Sequence, residues 1–177
     1  MHKYLVDSNI FLQAKNLHYR FEFCSHFWLW LEKAHAAGMV CSTSKVKKEL
    51  MKGQDDDPVK KWVTTLPETF FIPDDTDPKI ISKYREIMLW TANNTHFKPA
   101  AKVEFARAEV ADAFLIATAM AYNQEIITHE LSNPDRKNKI QIPDAAAHFG
   151  VKTHFVYDVL SDYSDKDFCF NQKTIVI

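Results

Sequence analysis

Glycine is scarce in this chain, with three among 177 residues. Gly38, Gly53 and Gly150 are too dispersed to build a G-x-G-x-x-G turn or a phosphate-cradling P-loop, so no nucleotide cofactor is expected. Cysteine is equally rare. Cys24, Cys41 and Cys169 are odd in number and lack C-x-x-C spacing, which predicts free thiols in a reducing cytoplasm rather than a disulfide framework. The histidines show no H-E-x-x-H or related spacing, and zinc is not expected. No run approaches the ~20 apolar residues of a membrane span. The chain opens on a strand ending in an acid at position 7, not on a basic region followed by an apolar one, so no secretory leader is expected. A net charge of -1 decides nothing about nucleic acid, because the footprint depends on where the basic side chains sit. There is no internal repeat and no low-complexity tract.

What remains has the balance of a globular protein: 46% hydrophobic, 25% charged and 13% aromatic residues. The length suits one domain, placed at 1–160, with a tail over 161–177, and allows burial of roughly 70% of the unfolded surface. Strand-like and helical patterns alternate, which predicts an α/β fold on a mostly parallel sheet of four or five strands. Strands are expected near 2–6, 39–41, 69–72 and 125–128, with a fifth at 152–156. Helices are expected at 10–16, 23–37, around Val46 to Leu50, and at 78–92, 100–107 and 110–123, with a short one opened by Pro143-Asp144 and stopped by Gly150. Residues 53–58, with three consecutive Asp, read as a loop. Residues 174–177 have no arguable place.

The chemistry lies in the acids. Asp112 stands within Ala111-Asp112-Ala113-Phe114-Leu115-Ile116-Ala117-Thr118-Ala119, a helical run apolar on all sides and therefore buried. A buried unpaired charge is expensive, so something must compensate it. Tyr4-Leu5-Val6 runs into Asp7-Ser8-Asn9, placing a carboxylate at the carboxyl edge of a sheet, where open α/β folds bind ligands. Glu49, on the helix after the second strand, and Glu130, after the fourth, can converge on the same edge. Two carboxylates 4 Å apart repel by about 4 kcal/mol at an effective dielectric near 20. Such a cluster takes up protons or a hard divalent cation with oxygen ligands.

The ordered set Tyr4-Leu5-Val6-Asp7-Ser8-Asn9-Ile10-Phe11, Lys48-Glu49-Leu50, Ala111-Asp112-Ala113 and Ile126-Ile127-Thr128-His129-Glu130 resembles the PIN-domain nucleases over nearly the whole chain. The resemblance implies a three-layer α/β/α sandwich and Mg²⁺- or Mn²⁺-dependent cleavage of RNA. It also implies a frequent role as the toxin of a toxin–antitoxin pair, with an antitoxin protein as partner and dimerisation common. By that carry-over Asp7, Glu49 and Asp112 are metal ligands. Glu130 stands where the family usually has Asp two residues after Thr or Ser. Ser8 and Asn9 match the family's polar pair, orienting the first acid from behind, and Thr128 belongs with them.

Each residue also has a plainer reading. Asp7 can cap the following helix, Glu49 can pair with surface lysines, and Glu109 can face solvent. Asp144 can serve the dipole of its helix, and is also the rival to Glu130 for completing the site. Lys45, Lys47, Lys48 and Lys52, then Lys60 and Lys61, then Arg136, Lys137 and Lys139 form either solvated faces or a rim that holds phosphates. Lys45, Lys48 and His129 are the substrate-contact candidates. Tyr19, Arg20 and Phe21 could stack bases, though helix packing explains the aromatics of that stretch better. Three functions compete. The first is a metal-dependent ribonuclease, and the second a catalytically silent module of the same fold acting through a protein partner. The third, a phosphatase of the haloacid-dehalogenase type, needs a second Asp two residues after the first, where this chain has Asn9.

Overall fold

The computed structural model describes residues 2–107 and 109–165. Five strands, β1 (Tyr4–Val6), β2 (Val40–Thr43), β3 (Phe71–Ile72), β4 (Glu125–Ile127) and β5 (Thr153–His154), form one sheet in the order β3-β2-β1-β4-β5. Every pairing is parallel, with Leu5 opposite both Cys41 and Ile126. Helices α1 (Ser8–Asn16), α2 (Ser25–Ala36), α3 (Ser44–Leu50) and α4 (Pro58–Thr65) connect the strands from β1 to β3. Helices α5 (Pro78–Asn93), α6 (Pro99–Phe105) and α7 (Ala111–Tyr122) lead from β3 to β4, and α8 (Ile142–His148) leads to β5. Because parallel crossovers are right-handed, the change of direction at β1 sends the two groups of helices to opposite faces. The result is the expected α/β/α sandwich, its sheet wholly parallel. No helix among the described residues is long and apolar enough to cross a membrane.

Local chemistry explains most boundaries. In α2, Phe27, Trp30, Leu31 and Ala34 bury one stripe, and Gly38, at φ +75, takes the left-handed turn that stops the chain short of β2. Thr43 accepts from the Val46 amide and caps α3. Asp77 caps α5 just before Pro78, whose missing N–H costs nothing at a helix start. Helix α7 is buried from Ala113 through Ala119 and ends on Asn123, at φ 52, in the left-handed conformation glycine usually supplies.

Three elements depart from expectation. Residues 53–58 do form a loop, but Asp57 accepts from the Val59 amide and opens α4, which buries Val59, Trp62 and Val63. At two turns its pattern is too short to declare itself. The strand expected over 69–72 is half replaced by a 3₁₀ turn at Glu68–Phe70, which drives Phe70 fully into the core. The fifth strand is only two residues long. Val156, expected at its end, instead begins α9 (Val156–Tyr163), which buries Val156, Val159 and Leu160 and crosses position 160. Cys24 and Cys41 are free thiols; Cys169 and residues 174–177 lie outside the described residues.

Candidate active site

Strand order changes direction between β1 and β4, and the crevice beyond their carboxyl ends is the general ligand position of such sheets. Asp7 and Thr128 are the residues that leave those two strands. They are neighbours, since the Asp7 amide donates to the Ile127 carbonyl at 3.0 Å. Asp7 is 3% exposed and occupies the position before α1, yet makes no capping bond to it. Its Oδ2 instead accepts from the Thr128 hydroxyl at 2.7 Å, and the Ser8 hydroxyl lies 3.4 Å from Oδ1.

Thr128 fixes this geometry. A hydroxyl has one donor and two acceptor positions. Thr128 gives its proton to Asp7 and accepts from Asn9 Nδ2 at 2.9 Å and from the Glu130 amide at 3.1 Å. Asn9 Oδ1 in turn accepts from the His129 amide at 3.1 Å. Asn9 thus holds the loop that carries Glu130, while Ser8 neighbours the first acid.

The other acids arrive from both helical layers. Asp112 sits in the first turn of α7. Glu49, from the last turn of α3, accepts from the Ala111 amide at 3.1 Å, so it satisfies a free donor at the start of α7 instead of pairing with a surface lysine. Glu130 accepts from the Ile142 amide at 2.7 Å at the start of α8 and pairs with Lys139.

Electrostatics tie the four together. Burial, opposed by the Thr128 hydroxyl and reinforced by Glu130 and Glu49, pushes the Asp7 carboxyl up to about 6. Asp112 is pushed up to about 8, first by desolvation, then by Asp7, Glu130 and Glu49, with Lys139 alone pulling the other way. The acids therefore share one field with one ammonium. Among the described residues, however, no three His, Cys, Asp or Glu side chains already stand close enough to hold an ion. The hydrogen bonds account for this: Glu49 is turned to Ala111, and Glu130 to Ile142 and Lys139. The donor set itself, hard oxygens in excess of positive charge, suits a divalent cation.

The remaining candidates lie elsewhere. Asp144 accepts from the Ser132 hydroxyl and the Asn133 amide, tethering the loop before α8. Glu109 is exposed and 3.9 Å from Arg107. Lys48 pairs with Asp75 at 2.8 Å; Lys45 lies 3.8 Å from Asp75 and 4.6 Å from the Phe114 ring centre. Both basic candidates are thus engaged by their own fold. His129 faces the Tyr157 ring at 5.6 Å, and burial with His18 nearby lowers its pKa. Tyr19 stacks on Phe27 and Phe21 on Trp28, so these rings serve packing. Lys139 is what the sequence reading undervalued. It stands in a run of basic residues, nine positions beyond the acid it meets, and no periodicity signals that contact. A half-enclosed cleft of about 320 Å³ opens beside Asp112 and Lys139, between α6 and the segment leading into α8.

An all-parallel α/β sandwich with a carboxylate cluster at its topological switch point is the class these features define. Within it, the chain belongs to the family described as Domain of unknown function (DUF4411), whose profile matches residues 4–164. A search of curated proteins found no match to the chain.

Proposed function

We propose that this protein is a divalent-metal-dependent ribonuclease of the PIN type, hydrolysing RNA phosphodiesters. The observation that carries the reading is the pair Asp7 and Asp112, two buried carboxyls at the switch point of the sheet. Both are raised by desolvation and then by neighbouring acids: Glu130 and Glu49 act on Asp7, and Asp7, Glu130 and Glu49 on Asp112. A protein that needed these residues only for folding would be better served by neutral side chains. Asp7 and Asp112 would hold Mg²⁺ or Mn²⁺, with Glu49 and Glu130 completing the set through water or by turning from their amide partners. When bound, such a cation supplies Lewis acidity toward a phosphoryl oxygen and acidifies a water.

The chain's own residues do the rest. Thr128 and Asn9 keep Asp7 ionisable in one orientation. Lys139, already within the field of Asp112, supplies positive charge toward an incoming phosphate once Glu130 is otherwise engaged. Attack by water, not by the ribose 2′-hydroxyl, leaves a 5′-phosphate and a 3′-hydroxyl. A toxin role follows as part of the same proposal, with an antitoxin segment that inserts an Arg among the acids.

The test is cleavage of RNA oligonucleotides with Mg²⁺ or Mn²⁺, with EDTA, and in Asp7→Asn and Asp112→Asn. Persistence of cleavage in EDTA or in either variant would refute the reading. A second reading, a silent module acting through a protein partner, draws on the engaged state of Glu49 and Glu130. It requires that Mn²⁺ titration by calorimetry show no binding that Asp112→Asn abolishes.

A further inference from the structure

The cleft beside Asp112 has a composition unlike that of the acid cluster it adjoins. Ala100, Phe105, Val110 and Ile140 give it apolar walls, while Glu104, Asn138, Lys139 and Asp112 supply its polar groups. At about 320 Å³ it lies at the small end of ligand pockets, which run from roughly 300 to 1,000 Å³. That is room for one flat heterocycle and not for a stacked pair. Glu104 and Asp112 beside Lys139 leave the cleft interior without an excess of positive charge. Its apolar walls suit an uncharged ring next to the phosphate that Lys139 would meet at the rim. Asp112 belongs to both cleft and cluster, so whatever fills the cleft is continuous with whatever lies over the acids.

Resting on the ribonuclease reading, we propose that this cleft receives one unpaired base of single-stranded RNA next to the scissile phosphate, and that guanine is the base it fits best. A base inside a duplex cannot enter such a space, so the substrate is a loop, bulge or free strand. Glu104 can accept from two donors side by side, and guanine's pairing edge offers N1–H and N2–H₂ together. Asn138, whose Oδ1 accepts from Arg136 Nε at 3.1 Å, has its NH₂ as donor toward O6. Uracil presents a single N–H between two carbonyls, one of which would oppose Glu104. Exposed Glu104 has Arg107 at 3.2 Å, a surface pair that yields readily to a better donor.

The experiment is fluorescence anisotropy of 5′-fluorescein RNA hexamers, one guanine-centred, one all-uridine, and the guanine hexamer embedded in a hairpin stem. They are titrated with wild-type protein in EDTA and with Asp7→Asn protein in Mg²⁺; cleavage sites are mapped with wild type in Mn²⁺. The guanine hexamer should bind about tenfold or more tighter than either comparator. Glu104→Gln should erase the guanine preference, and Ala100→Trp, on an exposed helix position, should weaken binding of the free strand by a similar factor. Equal affinity for guanine and uridine strands, or unaltered binding in Ala100→Trp, would overturn the proposal. Metal-dependent cleavage without base preference would sink the base cleft and leave the nuclease reading standing. Guanine-selective binding without cleavage would do the reverse.

Discussion

The two ends of the sheet treat buried polar groups in opposite ways. At the amino end, His35 is bonded at both ring nitrogens, Nδ1 to the Val40 carbonyl at 2.9 Å and Nε2 to Thr69 Oγ1 at 3.1 Å. His2 stacks on it at 4.5 Å, and Gln124 Nε2 donates to the His2 carbonyl at 2.8 Å. At the carboxyl end, Asp7, Glu49, Asp112 and Glu130 crowd one field with Lys139 as counter-charge. Helices α2 and α7 finish at the first end and α1 and α3 start at the second, where the free amide of Ala111 engages Glu49 while Asp7 makes no capping bond. One end holds neutral polar groups that are paired except at Gln124 Oε1; the other holds like charges that oppose the fold. Destabilising charge kept at a ligand-binding edge makes the carboxyl end the candidate site.

Substitutions should separate the two ends. The largest effect expected is in Asp112→Asn: loss of metal-dependent cleavage by at least a hundredfold, exceeding the 10–100-fold typical of supporting residues. The same change should raise the melting temperature of the metal-free protein, since relieving buried repulsion on the order of 1–2 kcal/mol moves it by several degrees. A variant that is inactive and no more stable would break the contrast. Thr128→Val should cost about 10–100-fold in Mn²⁺ affinity by calorimetry, because Asp7 loses its donor and the Glu130 loop its anchor.

His35→Ala should invert that pattern. It removes both ring bonds, costs on the order of 2 kcal/mol in urea unfolding, and leaves cleavage unchanged.

Acidity offers a subtler probe. The Asp7 and Asp112 carboxyls lie at about 6 and about 8 in the fold, above the ordinary 3.8. Between pH 4 and 8 these two carboxyls therefore hold more protons in the fold than in the unfolded chain, and their contribution to stability falls as pH rises. Urea midpoints without metal should decline across that window, and saturating Mg²⁺ should flatten the decline. Lys48→Ala should do least, changing stability by no more than about 0.5 kcal/mol, since its partnership with Asp75 is a surface one.

Much of this was legible in the residues themselves. An acid inside an all-apolar helix and an acid ending a hydrophobic strand are contradictions visible in one dimension, and Asp112 and Asp7 are brought to the same edge. Parallel strands alternating with helices were equally readable, because each buried element carries its own periodicity. What escaped were features without a period. Helices α4 and α9 span two turns each and bury three residues apiece, too few to outweigh the loop and strand signals beside them. The Glu49 bond to Ala111 joins residues 62 apart, and the anchoring of Asp144 on Ser132 and Asn133 depends on how a loop folds back. Nothing in composition distinguishes Lys139, which meets an acid, from Lys48, which meets Asp75 on the surface.

Glu49 leaves one consequence open to measurement. Its carboxylate spans from one helical layer to the first amide of the other, so it works as a latch across the rim of the sandwich. Any ion that recruits this oxygen must unfasten the latch. Hydrogen exchange at Ala111 would then quicken on loading, even as the molecule as a whole becomes harder to unfold.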